Sequence, residues 1–119
     1  MSEGIVGRTL LVVEDEPLLG MLLEDVLTDA GATVLGPAPT VERALELLDR
    51  DRVDAVILDV NLGGVRSDAV AARLEEMGVP FVYATAYGDN ALAFGNQVPV
   101  LRKPYDVGDV MSALGRLLS

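Results

Sequence analysis

Short continuous apolar runs alternate along this chain with stretches in which apolar residues recur at helical spacing. Leu10 to Val13, Thr33 to Leu35, Ala55 to Leu58, Phe81 to Thr85 and Val98 to Leu101 read as five strands, the unbroken apolar ones being of the kind buried on both faces of a parallel sheet. Pro17 opens a first helix, along which Leu18, Leu19, Leu22, Leu23, Val26 and Leu27 recur at helical spacing, and Gly31 closes it. Gly36, Pro37 and Pro39 end the second strand, and Thr40 caps a helix whose stripe is Val41, Ala44, Leu45 and Leu48. A loop from Asn61 to Gly64 leads to a third helix, Asp68 to Met77, closed by Gly78 and Pro80. Between Gly88 and Gln97 only Ala91 to Phe94 have helical character, which predicts a short, marginal helix. Asp106 and Asp109 favour the start of a last helix, with Val107, Val110, Met111, Leu114, Leu117 and Leu118 on its apolar face.

Strands alternating with helices imply right-handed crossovers and a parallel sheet covered on both faces. The expected fold is therefore α/β, a flavodoxin-like (βα)5 arrangement with a doubly wound five-stranded parallel sheet. Its strand order, 2-1-3-4-5, comes from the precedent of such folds, and its switch point lies beside strands one and three. At 119 residues the chain suits one domain, residues 1–119, with one core.

Composition narrows the chemistry. Half the residues are apolar, yet no apolar stretch reaches the roughly 20 residues of a membrane span, and Met1 to Arg8 lacks the features of a signal peptide. Cysteine and histidine are both absent, which excludes disulfides, thiolate or imidazole metal sites and any triad with a histidine base. Oxygen ligands remain, and these suit hard cations, Mg2+ or Mn2+ where phosphate is involved. A formal charge of −10 argues against direct binding of nucleic acid.

Chemistry gathers where the strands end. Glu14, Asp15 and Glu16 follow the first strand, Asp59 follows the third, Thr85 ends the fourth, and Lys103, the single lysine, follows the fifth and precedes Pro104, a proline expected to stop strand pairing and open the last helix. A parallel sheet brings these termini to one edge. Two unit charges about 4 Å apart repel by about 4 kcal/mol at an effective dielectric near 20, so gathered carboxylates call for a divalent cation. Asp15 and Asp59 are the best direct ligands, and Glu14 binds either directly or through water. A hydroxyl and an ammonium, Thr85 and Lys103, can each meet a phosphoryl oxygen. The blander readings are an acidic triplet that only stabilises a helix N-terminus, by about 0.3 to 1 kcal/mol per residue, and a Thr85 that is only a β-branched strand residue.

Taken together, in this order, Glu14 with Asp15, Asp59, Thr85 with the small Ala86, and Lys103 with Pro104 resemble the receiver domains of bacterial two-component response regulators, over nearly the whole chain. The resemblance implies a phosphoacceptor, Asp59, that takes a phosphoryl group from a histidine kinase, a histidine phosphotransferase or acetyl phosphate. It implies Mg2+ or Mn2+ held by Asp15, Asp59 and the carbonyl of Asn61, with Glu14 acting through water, and Thr85 and Lys103 gripping the bound phosphoryl group. Such a protein catalyses only its own phosphorylation and dephosphorylation, sits in the cytoplasm, and signals through protein contacts on its fourth helix, fifth strand and fifth helix.

Val100 departs from the pattern, since many receivers carry an aromatic switch residue three places before the lysine. The stretch Phe81 to Gly88 instead resembles the FAT GUY subfamily, mostly stand-alone receivers, which implies an altered fourth helix and output face. Tyr83, Tyr87 and Tyr105 are the candidates to take over switching, with core packing as the alternative for the first two. The expectation is a complete single-domain regulator, on the grounds of Met1 and a last helix finishing at Ser119. The alternatives are a receiver cut from a hybrid histidine kinase and a phosphorylation-independent interaction module. A haloacid-dehalogenase-type phosphatase is disfavoured because Asn61 stands where such enzymes need an acid.

Overall fold

The computed structural model describes residues 4–85 and 98–118. In chain order the elements are β1 (Thr9–Val13), α1 (Pro17–Asp29), β2 (Thr33–Ala38), α2 (Val41–Arg50), β3 (Ala55–Asp59), β4 (Asn61–Leu62), β5 (Val65–Arg66), α3 (Asp68–Met77), β6 (Phe81–Thr85), β7 (Val100–Arg102) and α4 (Val107–Leu118). Five strands form one parallel sheet in the order β2-β1-β3-β6-β7, which is the expected 2-1-3-4-5 pattern of a flavodoxin-like fold.

Side-chain alternation along the central strands builds two cores. Leu11 and Val13 of β1 join Val56 and Leu58 of β3 on the face covered by Ala44 and Leu48 of α2 and Val70 and Leu74 of α3. Leu10 and Val12 join Ile57 and Ala84 on the opposite face, beneath Leu23 and Leu27 of α1 and Val110 and Leu114 of α4. Both faces of the sheet are dry, so the strands read as unbroken apolar runs rather than alternating ones. No helix among the described residues is long and apolar enough to cross a membrane.

Several boundaries differ from those read in the sequence. The second strand does not end at Gly36 but continues to Ala38, with a register shift between Leu11 and Val13 of its neighbour. It is the edge strand, where Pro37 forfeits no obligatory ladder bond. The fifth begins at Val100 rather than Val98 and ends at Arg102, and Asp59 is the last residue of β3 rather than the first beyond it. Asn61 to Gly64 is not a plain loop. Asn61–Leu62 and Val65–Arg66 pair as a small antiparallel hairpin about Gly63 and Gly64, both at positive φ, the geometry that two-residue hairpin turns demand. Thr40 caps α2 as expected, accepting from the Arg43 N–H at 3.1 Å. The short helix expected at Ala91 to Phe94 lies outside the described residues, as does Tyr87.

Helix α1 approaches β2 closely because Gly20 has no side chain. A Cβ there would lie 2.7 Å and 2.9 Å from the Pro37 ring carbons. Alanine in a helix interior ordinarily gains about 1 kcal/mol over glycine, whereas forcing a methyl group into a closed contact costs about 1 to 3 kcal/mol. Gly20→Ala is therefore expected to lower stability by about 1 kcal/mol, as measured by urea unfolding. A variant more stable than the parent would show that α1 moves away at little cost.

Candidate active site

Strand register assembles the site. Val13 of β1 pairs with Leu58 of β3, so Glu14 and Asp59 emerge side by side at adjacent strand ends. Asp59 pairs with Ala84 of β6, which places Thr85 one step beyond. Thr85 pairs in turn with Arg102 of β7, and the Lys103 N–H donates to the Thr85 carbonyl at 2.8 Å. Four strand ends thus meet at the carboxyl edge of the sheet, where open α/β folds bind their ligands.

The Lys103 ammonium reaches back across this edge. Its Nζ lies 3.0 Å from Asp59 Oδ2, 3.1 Å from Glu14 Oε1 and 3.3 Å from Glu16 Oε1. Asp59 and Glu14 are almost fully buried, at 4% and 3% exposure, and Thr85 is wholly buried. Asp15 is half-buried, and one carboxylate oxygen from each of Glu14, Asp15 and Asp59 lies within 4.8 Å of the others. Two backbone donors steady the acids: Glu16 N–H to Glu14 Oε2 at 3.2 Å and Asn61 N–H to Asp59 Oδ1 at 3.3 Å. The Asn61 side chain is committed elsewhere, accepting from the Gly64 N–H at 2.7 Å within the hairpin turn.

The electrostatics follow from this crowding. Burial, and then Asp59 as hydrogen-bond partner and neighbouring charge, push the Glu14 carboxyl up to about 8, against the opposing pull of the Glu16 N–H and Lys103. Burial works against the Lys103 charge, but Asp59 and Glu14 outweigh it and hold the ammonium above the usual lysine range. Tyr105 is pushed up to about 12, first by burial and then by the charge of Glu14. The cluster is an all-oxygen donor set, and close carboxylates that strain against joint ionisation are the donor chemistry a hard divalent cation relieves.

The structure brings together Glu14, Asp15, Asp59 and Lys103, with Thr85 and Asn61 beside them. It places the two described tyrosine candidates, Tyr83 and Tyr105, on opposite faces of the sheet. Tyr83 is in the core, edge-on to Phe81 with ring centroids 5.3 Å apart. It pairs with Val100 across β6 and β7, and both side chains pack on the same core. Tyr105 packs on the opposite core beside Lys103. Pro104 does not open the last helix, which begins at Val107. Two polar residues make contacts that the sequence does not single out. Glu16 is there one member of an acidic run, and its Oε1 lies 3.3 Å from the Lys103 ammonium. Ser67 looks like a helix cap, yet it makes no side-chain cap bond, and its hydroxyl donates instead to the Asp59 carbonyl at 2.6 Å.

Comparison with known proteins agrees with this geometry. The chain matches the response regulator receiver domain family over residues 10–114. It is 31% identical to the phyllosphere-induced regulator PhyR of Methylorubrum extorquens, over 95% of this chain and 44% of PhyR. It is 35% identical to the transcriptional regulatory protein TcrA of Mycobacterium tuberculosis, over 95% of this chain and 47% of TcrA. The chain thus spans about half the length of these curated relatives. The solution structure of SdrG from Sphingomonas melonis Fr1 superposes with a TM-score of 0.83 at 40% identity, covering 98% of this chain and 99% of SdrG. Fold, strand-end chemistry and sequence likeness converge, and the chain belongs to the response regulator receiver domain family.

Proposed function

We propose that the protein is a phosphoacceptor of a two-component phosphorelay, acting in the cytoplasm, with Asp59 as the residue phosphorylated. The observation that carries this reading is the buried Asp59 carboxylate with the Lys103 ammonium at 3.0 Å and the acids Glu14 and Asp15 gathered beside it. An Asp59 oxygen attacks the phosphorus of a phosphohistidine or of acetyl phosphate. The P–N or P–O bond to the donor breaks, and the leaving group departs with its electron pair. Lys103, already against Asp59, shifts its ion pair from the carboxylate to a phosphoryl oxygen, and the Thr85 hydroxyl donates a hydrogen bond beside it. Asp15, Asp59, the Asn61 carbonyl and, through water, Glu14 would hold Mg2+ or Mn2+, which would neutralise charge on the phosphoryl oxygens. Water later cleaves the acyl phosphate and restores the carboxylate. Turnover of external substrates is not expected, because Asn61 offers no general acid. The test is intact mass after incubation with acetyl phosphate and Mg2+, where a gain of one phosphoryl group supports the reading.

A histidine kinase or phosphotransferase must bring its phosphohistidine to this mouth. The surface bordering Lys103 is an apolar groove lined by Leu18, Leu19, Leu22, Pro104 and Tyr105, and Leu18 is 82% exposed. An apolar side chain so exposed at the mouth of the site fits a docking contact with the donor protein. Leu18→Glu is expected to slow transfer from a histidine kinase that phosphorylates the parent by at least about tenfold, while phosphorylation by acetyl phosphate stays within about twofold of the parent. Equal slowing with both donors would move the effect from docking to the site itself. For switching, Tyr83 is the better placed of the described tyrosines, since it pairs with Val100, where the aromatic residue is missing. Loops drawn toward the phosphoryl group through Thr85 and Lys103 would pass a shift in population to β7 and α4 as the output surface.

A further inference from the structure

Ser67 is buried at 1% exposure and stands directly before α3, where a serine ordinarily caps the helix through its side chain. Its hydroxyl makes no cap bond. It donates to the main-chain carbonyl of Asp59 at 2.6 Å and contacts that of Val60 at 3.2 Å, while its own N–H donates to the Val60 carbonyl at 2.9 Å. Its carbonyl then accepts from the N–H groups of Val70 and Ala71 at 3.0 and 3.1 Å. Ser67 therefore joins the start of α3 to the last residue of β3. The intervening segment is the β4–β5 hairpin. That hairpin carries the Asn61 N–H to Asp59 Oδ1 and brings Gly63 so near Asp15 that a Cβ on it would lie 3.6 Å from Asp15 Oδ2. A buried hydroxyl thus closes a loop that touches the phosphoacceptor at its base and the neighbouring acid at its tip.

We infer that Ser67 is a positioning residue for phosphorylation: by clasping the Asp59 and Val60 carbonyls it fixes the backbone of the nucleophile and holds the hairpin over the acidic cluster. The inference rests on the reading of Asp59 as phosphoacceptor. The cap position is spent on this clasp rather than on the helix. A site whose groups must meet an in-line donor within a few tenths of an ångström depends on such backbone restraint, and loss of a hydrogen bond that orients ligands commonly costs about 10- to 100-fold in affinity or activity.

The experiment compares the parent chain with Ser67→Ala, Ser67→Thr and Ser67→Cys. It reads the rate of phosphorylation by acetyl phosphate from intact mass, the Mg2+ Kd by calorimetry, and stability by urea unfolding. The expected result is a rate about tenfold lower and a severalfold weaker Mg2+ Kd in Ser67→Ala, with both restored to within about twofold in Ser67→Thr, which keeps the hydroxyl. Ser67→Cys, which keeps the volume but donates weakly, falls between parent and Ser67→Ala. If Ser67→Ala or Ser67→Cys loses stability yet keeps rate and Kd within twofold of the parent, the clasp is merely structural and the inference is overturned. If the parent itself gains no phosphoryl group from acetyl phosphate, the failure lies with the phosphoacceptor reading or with the donor, and not with Ser67. The Kd then decides on Ser67: equal values in parent and Ser67→Ala overturn the positioning role, and a weaker one in Ser67→Ala upholds it.

Discussion

Asp59→Asn is expected to abolish the Mg2+-dependent gain of one phosphoryl group from acetyl phosphate while leaving the protein folded. An amide oxygen is a far weaker nucleophile than a carboxylate, and it cannot form the acyl phosphate. The fold tolerates the change because the side chain keeps its shape, and because removing one acid from the crowded cluster beside Glu14 offsets the lost ion pair with Lys103. Intact mass separates the outcomes, with circular dichroism confirming the fold. A parent that gains one phosphoryl group and a variant that gains none identifies the acceptor. A gain retained in the variant would mean that Glu14 or Asp15 accepts phosphate, against the geometry that sets Lys103 on Asp59. No gain in a folded parent that binds Mg2+ would leave the interaction-module reading, or a site that opens only to its own kinase.

Much of this site was legible because the strands that present it are buried on both faces. Leu10 to Val13 and Ala55 to Leu58 contain no polar residue, so the first polar groups after them mark the sheet edge, and Glu14 and Asp59 follow directly. Lys103 was legible for a similar reason, as the single lysine after an apolar run. What escaped was set by main-chain geometry, which leaves no periodic trace. The β4–β5 hairpin consists of two-residue strands, too short for alternation to register. Ser67 stands where a capping serine belongs, and nothing in the sequence reveals that the Asp59 carbonyl competes for its hydroxyl and wins. The continuation of β2 past Gly36 and Pro37 likewise depends on its place at the sheet edge, which the residues themselves do not state.

The titration of Glu14 gives the other large effect, and its sign can be worked out. Glu14 stands at about 8 in the folded protein against 4.5 as its ordinary value. Between those two pH values the native state holds a proton that the unfolded chain has released. Stability changes with pH in proportion to the protons bound by the unfolded state minus those bound by the native state, a negative number across this window. Without a divalent cation, stability is therefore expected to fall as pH rises from about 4.5 to about 8, by on the order of a few kcal/mol at about 1.4 kcal/mol per pH unit. Glu14→Gln should remove this dependence, because a neutral amide reproduces the protonated acid: its oxygen can still accept from Lys103 and its NH2 can donate toward Asp59. Urea unfolding in EDTA at pH 5 and pH 8 checks this as a difference between parent and variant, which cancels the other carboxylates. Mg2+ should reverse the loss in the parent, and by more at pH 8 than at pH 5, because there it meets a carboxylate already ionised and does not have to displace a proton. Parallel pH profiles for parent and Glu14→Gln would show that Lys103, 3.1 Å from Glu14 Oε1, suffices to keep Glu14 ionised. The phosphoryl site would then rest on that ammonium alone and not on a proton exchanged for a metal ion.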